Sequence, residues 1–284
     1  MRIGILGGTG PAGKALAARL ASVGYDVVVG SRSKYRAMEV VDNLLEQWPD
    51  RRLTIGAGDN RAAADTDVVV IATPWDGATQ TAVLVEDHLR GKVVVSMANA
   101  LTKIGKEFQP LVPPRGSVAA SVQAAVPHCM VAAAFHHVPA KELGDLRHPI
   151  ESDVLICSDH EQAVEVTSEI VAKIPNMRPL NAGELAMATP IESFTAVLLQ
   201  LNMHYKTRVA VRLTGIPEAA APTGGRAPAE STPGRTSAEN TADGTSAEST
   251  ADGEVAKPTP TGPRSGGGKG NGTGRRPAAV EPSA

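Results

Sequence analysis

Cysteine is nearly absent from this chain of 284 residues: only Cys129 and Cys157 occur, far apart and in apolar settings. No CxxC pair and no histidine cluster at metal-ligand spacing accompanies them. The expectation is two buried thiols in a reducing compartment and no bound metal. Charge of one sign is also lacking, since the formal net charge is −2. No basic footprint therefore calls for nucleic acid. No apolar run reaches membrane-spanning length, and with the first residues entering an apolar strand directly no cleavable leader is expected. The expected location is cytoplasmic, away from membranes. From Pro217 onward aromatic residues are missing altogether. That stretch carries a tandem nine-residue repeat, TSAENTADG then TSAESTADG. It offers too little apolar surface to offset the entropy of ordering, so 217–284 is expected to be a disordered low-complexity tail.

What is present begins at the first residue. MRIGILGGTGPAG reads as a short apolar strand, a glycine turn and the start of a helix. Gly8, Gly10 and Gly13 fill the places of GxGxxG, which serve a tight turn, close approach to a pyrophosphate, and helix-on-strand packing. The phosphates would then sit on the free N–H groups and positive dipole end of the helix that follows. Pro11 suits the first helical turn, where its missing donor costs little. Helical spacing runs to Gly24, and a second strand, Asp26 to Gly30, comes next.

The end of that strand chooses the cofactor. An acidic residue there would suit NAD, whereas this chain reads Ser31-Arg32-Ser33-Lys34-Tyr35-Arg36. Ser31 can donate to a 2′-phosphate, Arg32 can pair with it as a fork, and Arg36 lies one helical turn on. NADP is the expected dinucleotide.

Downstream, a helix to about Trp48 is expected to bury Met38, Val41, Leu44 and Leu45. The β-branched run from Asp67 to Thr73 reads as a covered parallel strand leading to Pro74-Trp75 at its carboxyl end. A helix (78–89) and a strand (92–96) continue the βα rhythm. Further strands are expected at 130–135, 153–157 and 177–180, and helices at 118–126 and 161–174. From Ile191 to Leu213 the apolar spacing fits one long helix able to bury more than one face, a candidate dimer element. A homodimer is the expected assembly. The whole reads as an α/β fold. A Rossmann-type doubly wound parallel sheet (1–140) is joined by a smaller C-terminal α+β domain (141–216).

The opening GILGGTGPAGKALAARLASVGYDVVVGSR, TPW at 73–75, HHVPA at 136–140 and RPLNAGELAMATPIES at 178–193 together resemble the NADPH-dependent F420 reductases. The resemblance covers roughly Met1 to Leu213. It implies hydride transfer between NADP(H) and the deazaflavin coenzyme F420, with small-molecule partners only. It places the pyrophosphate on Thr9, Gly10, Pro11 and Ala12, and the 2′-phosphate on Ser31, Arg32 and Arg36. Thr73, Pro74 and Trp75 fall on the nicotinamide side. His136, Val138, Pro139 and Ala140 fall on the deazaflavin side, and Ser193 close to that ring. His136 and Ser193 are the candidate catalytic residues, as hydrogen-bond donors, and His137 is expected to be structural. The chain departs from the family at Ser96-Met97-Ala98-Asn99-Ala100, where relatives carry more proline and bulky aliphatics. Lys206, Arg208 and Arg212 are candidates for the coenzyme's acidic tail. The alternatives are an NADP-dependent reductase of a small imine or keto acid, and a non-catalytic NADP sensor.

Overall fold

The computed structural model describes residues 1–217, all within one compact unit. Strand β1 (Arg2–Leu6) leads into α1 (Pro11–Ser22), β2 (Asp26–Ser31), α2 (Lys34–Gln47), β3 (Ile55–Asp59), α3 (Asn60–Ala64) and β4 (Val68–Ile71). Next come α4 (Trp75–Val83), α5 (Glu86–Leu89), β5 (Val93–Ser96), a hairpin of β6 (Leu101–Ile104) and β7 (Glu107–Pro110), α6 (Val118–Ala125) and β8 (Met130–Ala133). The chain continues through α7 (Ala140–Leu143), β9 (Ser152–Ile156), α8 (Glu161–Ala172), β10 (Met177–Asn181), one 3-10 turn and α9 (Ala188–Tyr205). The tail expected beyond Pro217 lies outside the described residues.

Six strands form one parallel sheet in the order β3-β2-β1-β4-β5-β8. The order reverses between β1 and β4, so this is a Rossmann-type doubly wound sheet with its crevice beyond the carboxyl ends of those strands. Alternation along each strand divides the core in two. Ile3, Ile5, Val27, Val29, Val68, Val70, Val93 and Val95 face α1, α2 and α8. Leu6, Val28, Val69, Ile71, Val94, Val131 and Ala133 face α3 to α6 and the start of α9. β9 and β10 form a separate parallel pair, joined to the main sheet by reciprocal bonds between Ala133 and Cys157.

Three expectations are corrected. α2 buries Ala37, Val41 and Leu44, while Met38 and Leu45 are exposed. The face at i, i+4 and i+7 meets the sheet, and the residue one step further round points about 100° away. The helix expected over 78–89 starts earlier and divides into α4 and α5. The helix expected to reach Leu213 ends at Tyr205, where Lys206 takes a left-handed φ of 51°.

The reason for that ending lies in β9. Asp153 is fully buried, and a buried charge must be paired. Arg178 grips it with two 2.8 Å bonds, and Arg212 lies 3.5 Å away. The segment after α9 is laid against this pair. The Asp153 N–H donates to the Val211 carbonyl at 2.7 Å, and the Leu213 N–H to the Asp153 carboxylate at 2.6 Å. Burial pushes the Asp153 pKa up, but the bonds from Arg178 and Leu213 outweigh it and hold the group below its ordinary value.

Candidate functional site

The glycine turn closes as its spacing predicts. The Gly8 N–H donates to the Gly30 carbonyl at 2.9 Å, which ties the turn to β2. A Cβ on Gly13 would stand 2.8 Å from the Gly8 Cα, so only glycine lets α1 come down on the turn. At Gly10 an added Cβ would meet nothing nearer than 3.7 Å, which leaves the space above the turn open to a ligand. The first N–H groups of α1 have no intrahelical partner and point at that space.

A groove of about 790 Å³ runs from this turn across the switch point. It is lined by Gly7, Thr9 and Gly10, by Ser31, Arg32 and Arg36, and by Thr73 and Pro74. Residues from three separate stretches are thereby brought together. Trp75 is not among the lining residues; it packs half-buried against the second core, and Asp76 and Gly77 take its place on the wall. Ser31 is nearly buried and accepts from the Ser33 N–H at 3.3 Å, while Arg32 and Arg36 are exposed. The pairing register sets Asp59 beside Ser31, a carboxylate that the linear sequence does not place there. Its carboxylate is occupied as the cap of α3, accepting from the Ala62 N–H at 2.8 Å.

The second wall lies at the carboxyl ends of β4, β5 and β8. Thr73 Oγ1, Ser96 Oγ and both ring nitrogens of His136 are buried without a hydrogen-bond partner. Of these residues Thr73 lines the groove, while Ser96 and His136 lie below its surface. His136 is 4% exposed, and burial pushes its pKa down to about 3, with His137 adding to the effect and the backbone of Met97 and Ala98 opposing it. The imidazole is therefore neutral at physiological pH, able to donate one N–H but not to serve as an imidazolium. Its own carbonyl is held by Asn99 Nδ2 at 3.1 Å, with Thr195 Oγ1 also at 3.1 Å. Phe135, just before it, is a buried residue with φ of 64°, so the chain turns sharply out of β8 into the two histidines. His137 is structural, with Nε2 2.7 Å from the Asp153 carbonyl.

Val138 is buried in the first core, and Pro139 caps α7, which begins at Ala140. Arg19 of α1 fixes the end of α7 and the loop beyond it. Its guanidinium donates to the carbonyls of Leu143, Glu142, Asp145 and His148 at 2.7 to 3.1 Å. Ser193 is half-buried in the second turn of α9 and is no cap, because α9 begins at Ala188. Arg208 pairs with Glu142 at 3.1 Å, and Arg212 is drawn to Asp153. Neither lines the groove.

Sequence reasoning missed Arg19, Asn99, Thr195 and Glu192. Glu192 is buried on α9 and accepts from the Val118 and Ala119 N–H groups at 2.9 and 3.1 Å, capping α6. A polar residue inside an otherwise apolar helical stripe was the available signal in each helical case. The hairpin β6–β7 was missed too, although Gly105, with φ of 61°, marks its turn.

Residues 2–100 match the family described as NADP oxidoreductase coenzyme F420-dependent. The F420-dependent NADP reductase of Methanocaldococcus jannaschii is 36% identical over 222 residues, spanning 76% of this chain and 99% of that relative. The chain belongs to this F420-dependent NADP reductase family. The Methanothermobacter thermautotrophicus member is 33% identical over 224 residues, spanning 77% of this chain and 97% of its own length. A crystal structure from Arthrobacter sp. FB24 superposes with a TM-score of 0.63 at 20% identity, covering 75% of this chain and 100% of that one. That likeness speaks for the fold. Identity over nearly the full length of the two reductases carries the family assignment.

Proposed function

We propose that the protein transfers a hydride between NADP(H) and the deazaflavin coenzyme F420, so that NADPH, oxidised F420 and a proton yield NADP+ and reduced F420, reversibly. The observation that carries this reading is the groove of about 790 Å³ at the switch point, which joins the glycine turn to Ser31, Arg32 and Arg36 on one side and to Thr73 and Pro74 on the other. Family membership names the second ring. The imine or keto-acid alternative is not favoured, since the relatives at 36% and 33% identity are F420-dependent NADP reductases.

In this reading the dinucleotide supplies the hydride, and the chain's own residues hold and orient. Thr9, Gly10, Pro11 and Ala12 would hold the pyrophosphate; Ser31, Arg32 and Arg36 would hold the 2′-phosphate; Thr73 and Pro74 would line the nicotinamide side. Val138, Pro139 and Ala140 form the wall for the deazaflavin. His136 donates an N–H to that ring's polar edge as charge builds there, which stabilises the transition state without a proton leaving the protein. Ser193 is a second donor. Positioning two flat rings and excluding water is the main task.

We also infer a homodimer in the cytoplasm. Phe194, Val197, Leu201 and Tyr205 recur along an exposed face of α9, an apolar stripe that a second copy would cover. Two free, buried cysteines agree with a reducing compartment. The division into 1–140 and 141–216 is kept as part of the reading, on the separate pairing of β9 with β10.

The test is loss of the oxidised deazaflavin's visible absorbance on mixing protein, NADPH and F420, with NADH in parallel. Rapid bleaching with NADPH and slow or none with NADH is expected. Tight NADPH binding without bleaching would overturn the reading.

A further inference from the structure

Helix α3 is five residues long and lies abnormally close to the sheet. A Cβ on Gly4 would stand 1.6 Å from the Ala63 carbonyl oxygen, one on Gly30 2.6 Å from Ala63 Cβ, and one on Gly58 2.7 Å from Ala62 Cβ. Three neighbouring strands, β1, β2 and β3, thus each lack a side chain where α3 sits. This slot fixes Asn60, the first residue of α3, against the glycine turn. Asn60 Oδ1 accepts from the Gly7 N–H at 3.3 Å. Gly7 has φ of 69°, and a Cβ on it would press on Thr73 Cγ2 at 2.6 Å. Gly7 is therefore the node at which Asn60 on one side meets Thr73 on the other.

Asn60 also lines the groove with Ser31, Arg32 and Arg36. Aspartate at this position would be nearly isosteric and would accept from Gly7 equally well, so geometry alone does not call for an amide. Charge does. A carboxylate would oppose a phosphate dianion in the same groove, and the neighbouring Asp59 is turned to the α3 cap. We propose that Asn60 is a positioning residue that fixes the glycine turn relative to the 2′-phosphate pole, and that its neutrality is part of the preference for a phosphorylated dinucleotide. This rests on the reading that NADP(H) occupies the groove.

The test is titration of NADPH and of NADH by cofactor fluorescence on the full chain and on Asn60→Ala and Asn60→Asp. Asn60→Ala frees Gly7, which both dinucleotides need, so both weaken by a similar factor, roughly tenfold for one lost hydrogen bond. Asn60→Asp keeps the acceptor, so NADH binding holds within about twofold while NADPH weakens roughly tenfold or more. The KM for NADPH rises in both variants, and kcat at saturation moves little. Unchanged binding in Asn60→Ala would overturn the positioning role, and equal weakening of both dinucleotides in Asn60→Asp would overturn the charge argument. Should Asn60→Ala not fold, Asn60→Asp carries the test, since it retains the bond to Gly7. Wild type that binds neither dinucleotide refutes the reading of the groove itself. Wild type that binds NADPH, with variants that match it, refutes only the assignment of Asn60.

Discussion

The two walls of the site are built in different ways. The dinucleotide side is mostly local: turn, helix and Ser31, Arg32 and Arg36 come from the first thirty-six residues, tied by backbone bonds such as Gly8 to Gly30, with Asn60 and Thr73 the contributions from further along the chain. The side proposed for the deazaflavin is assembled at a distance. Asn99 reaches His136 across 37 residues, Thr195 across 59, and Glu192 reaches α6 across 74. A local wall keeps its shape as long as its own segment folds. A distant wall depends on the docking of α9, so it is the part that substitutions and pH should loosen first.

The largest expected effect sharpens this contrast on the local side. Arg32→Glu removes the fork and sets a carboxylate against the 2′-phosphate. The Kd for NADPH should rise roughly 100- to 1000-fold, about 3 to 4 kcal/mol, with NADH changed by less than about threefold. Thermal stability should hold, because Arg32 is exposed and caps nothing. Equal losses for the two dinucleotides, read by fluorescence titration, would mean that the phosphate pole lies elsewhere.

A smaller effect belongs to the distant wall. Burial pushes Glu192 up to about 7, and its bonds from Val118 and Ala119 only partly oppose this. The folded-state pKa lies above the unfolded one, so the folded chain holds its proton more tightly between about pH 4.5 and 7. Stability from this group is thus present at low pH and is lost as pH rises through that window, by about 3 kcal/mol. Denaturant melts of the wild type and Glu192→Gln at pH 5 and pH 8 should differ in slope, with the glutamine variant lacking this loss. Parallel pH dependences would remove Glu192 as the cause.

The same contrast explains what the sequence made legible. Period-2 and period-3.6 patterns and glycine spacing are short-range signals, so the parallel sheet and the glycine turn could be read directly, and Ser31 with Arg32 supports the proposed phosphate pole in the same short-range way. Residues whose partners lie far along the chain carry no such mark. Asn99 looks like a loop amide and Thr195 like one more residue in an apolar stripe, until folding sets them on the same carbonyl. The end of α9 was missed for a related reason: its helical spacing continues to Leu213, but the buried charge of Asp153 takes residues 211–216 for itself. Trp75 was read as a wall residue from its place in the loop, yet α4 begins there and turns the indole to the core.

The smallest effect tests whether the distant wall positions the second ring rather than merely supporting the fold. Thr195 Oγ1 lies 3.1 Å from both Asn99 Oδ1 and the His136 carbonyl, and its single proton serves one of them at a time. Asn99 Nδ2 holds the same carbonyl, so the His136 backbone keeps one donor when the other is lost. Asn99→Ala and Thr195→Val should each lower kcat with F420 by roughly tenfold or less, with NADPH affinity unchanged. The double variant should lose more than the product of the two singles, because only then is a buried carbonyl left without a donor. A double loss equal to that product would mean that the two side chains act separately, and that the His136 carbonyl is not where they meet.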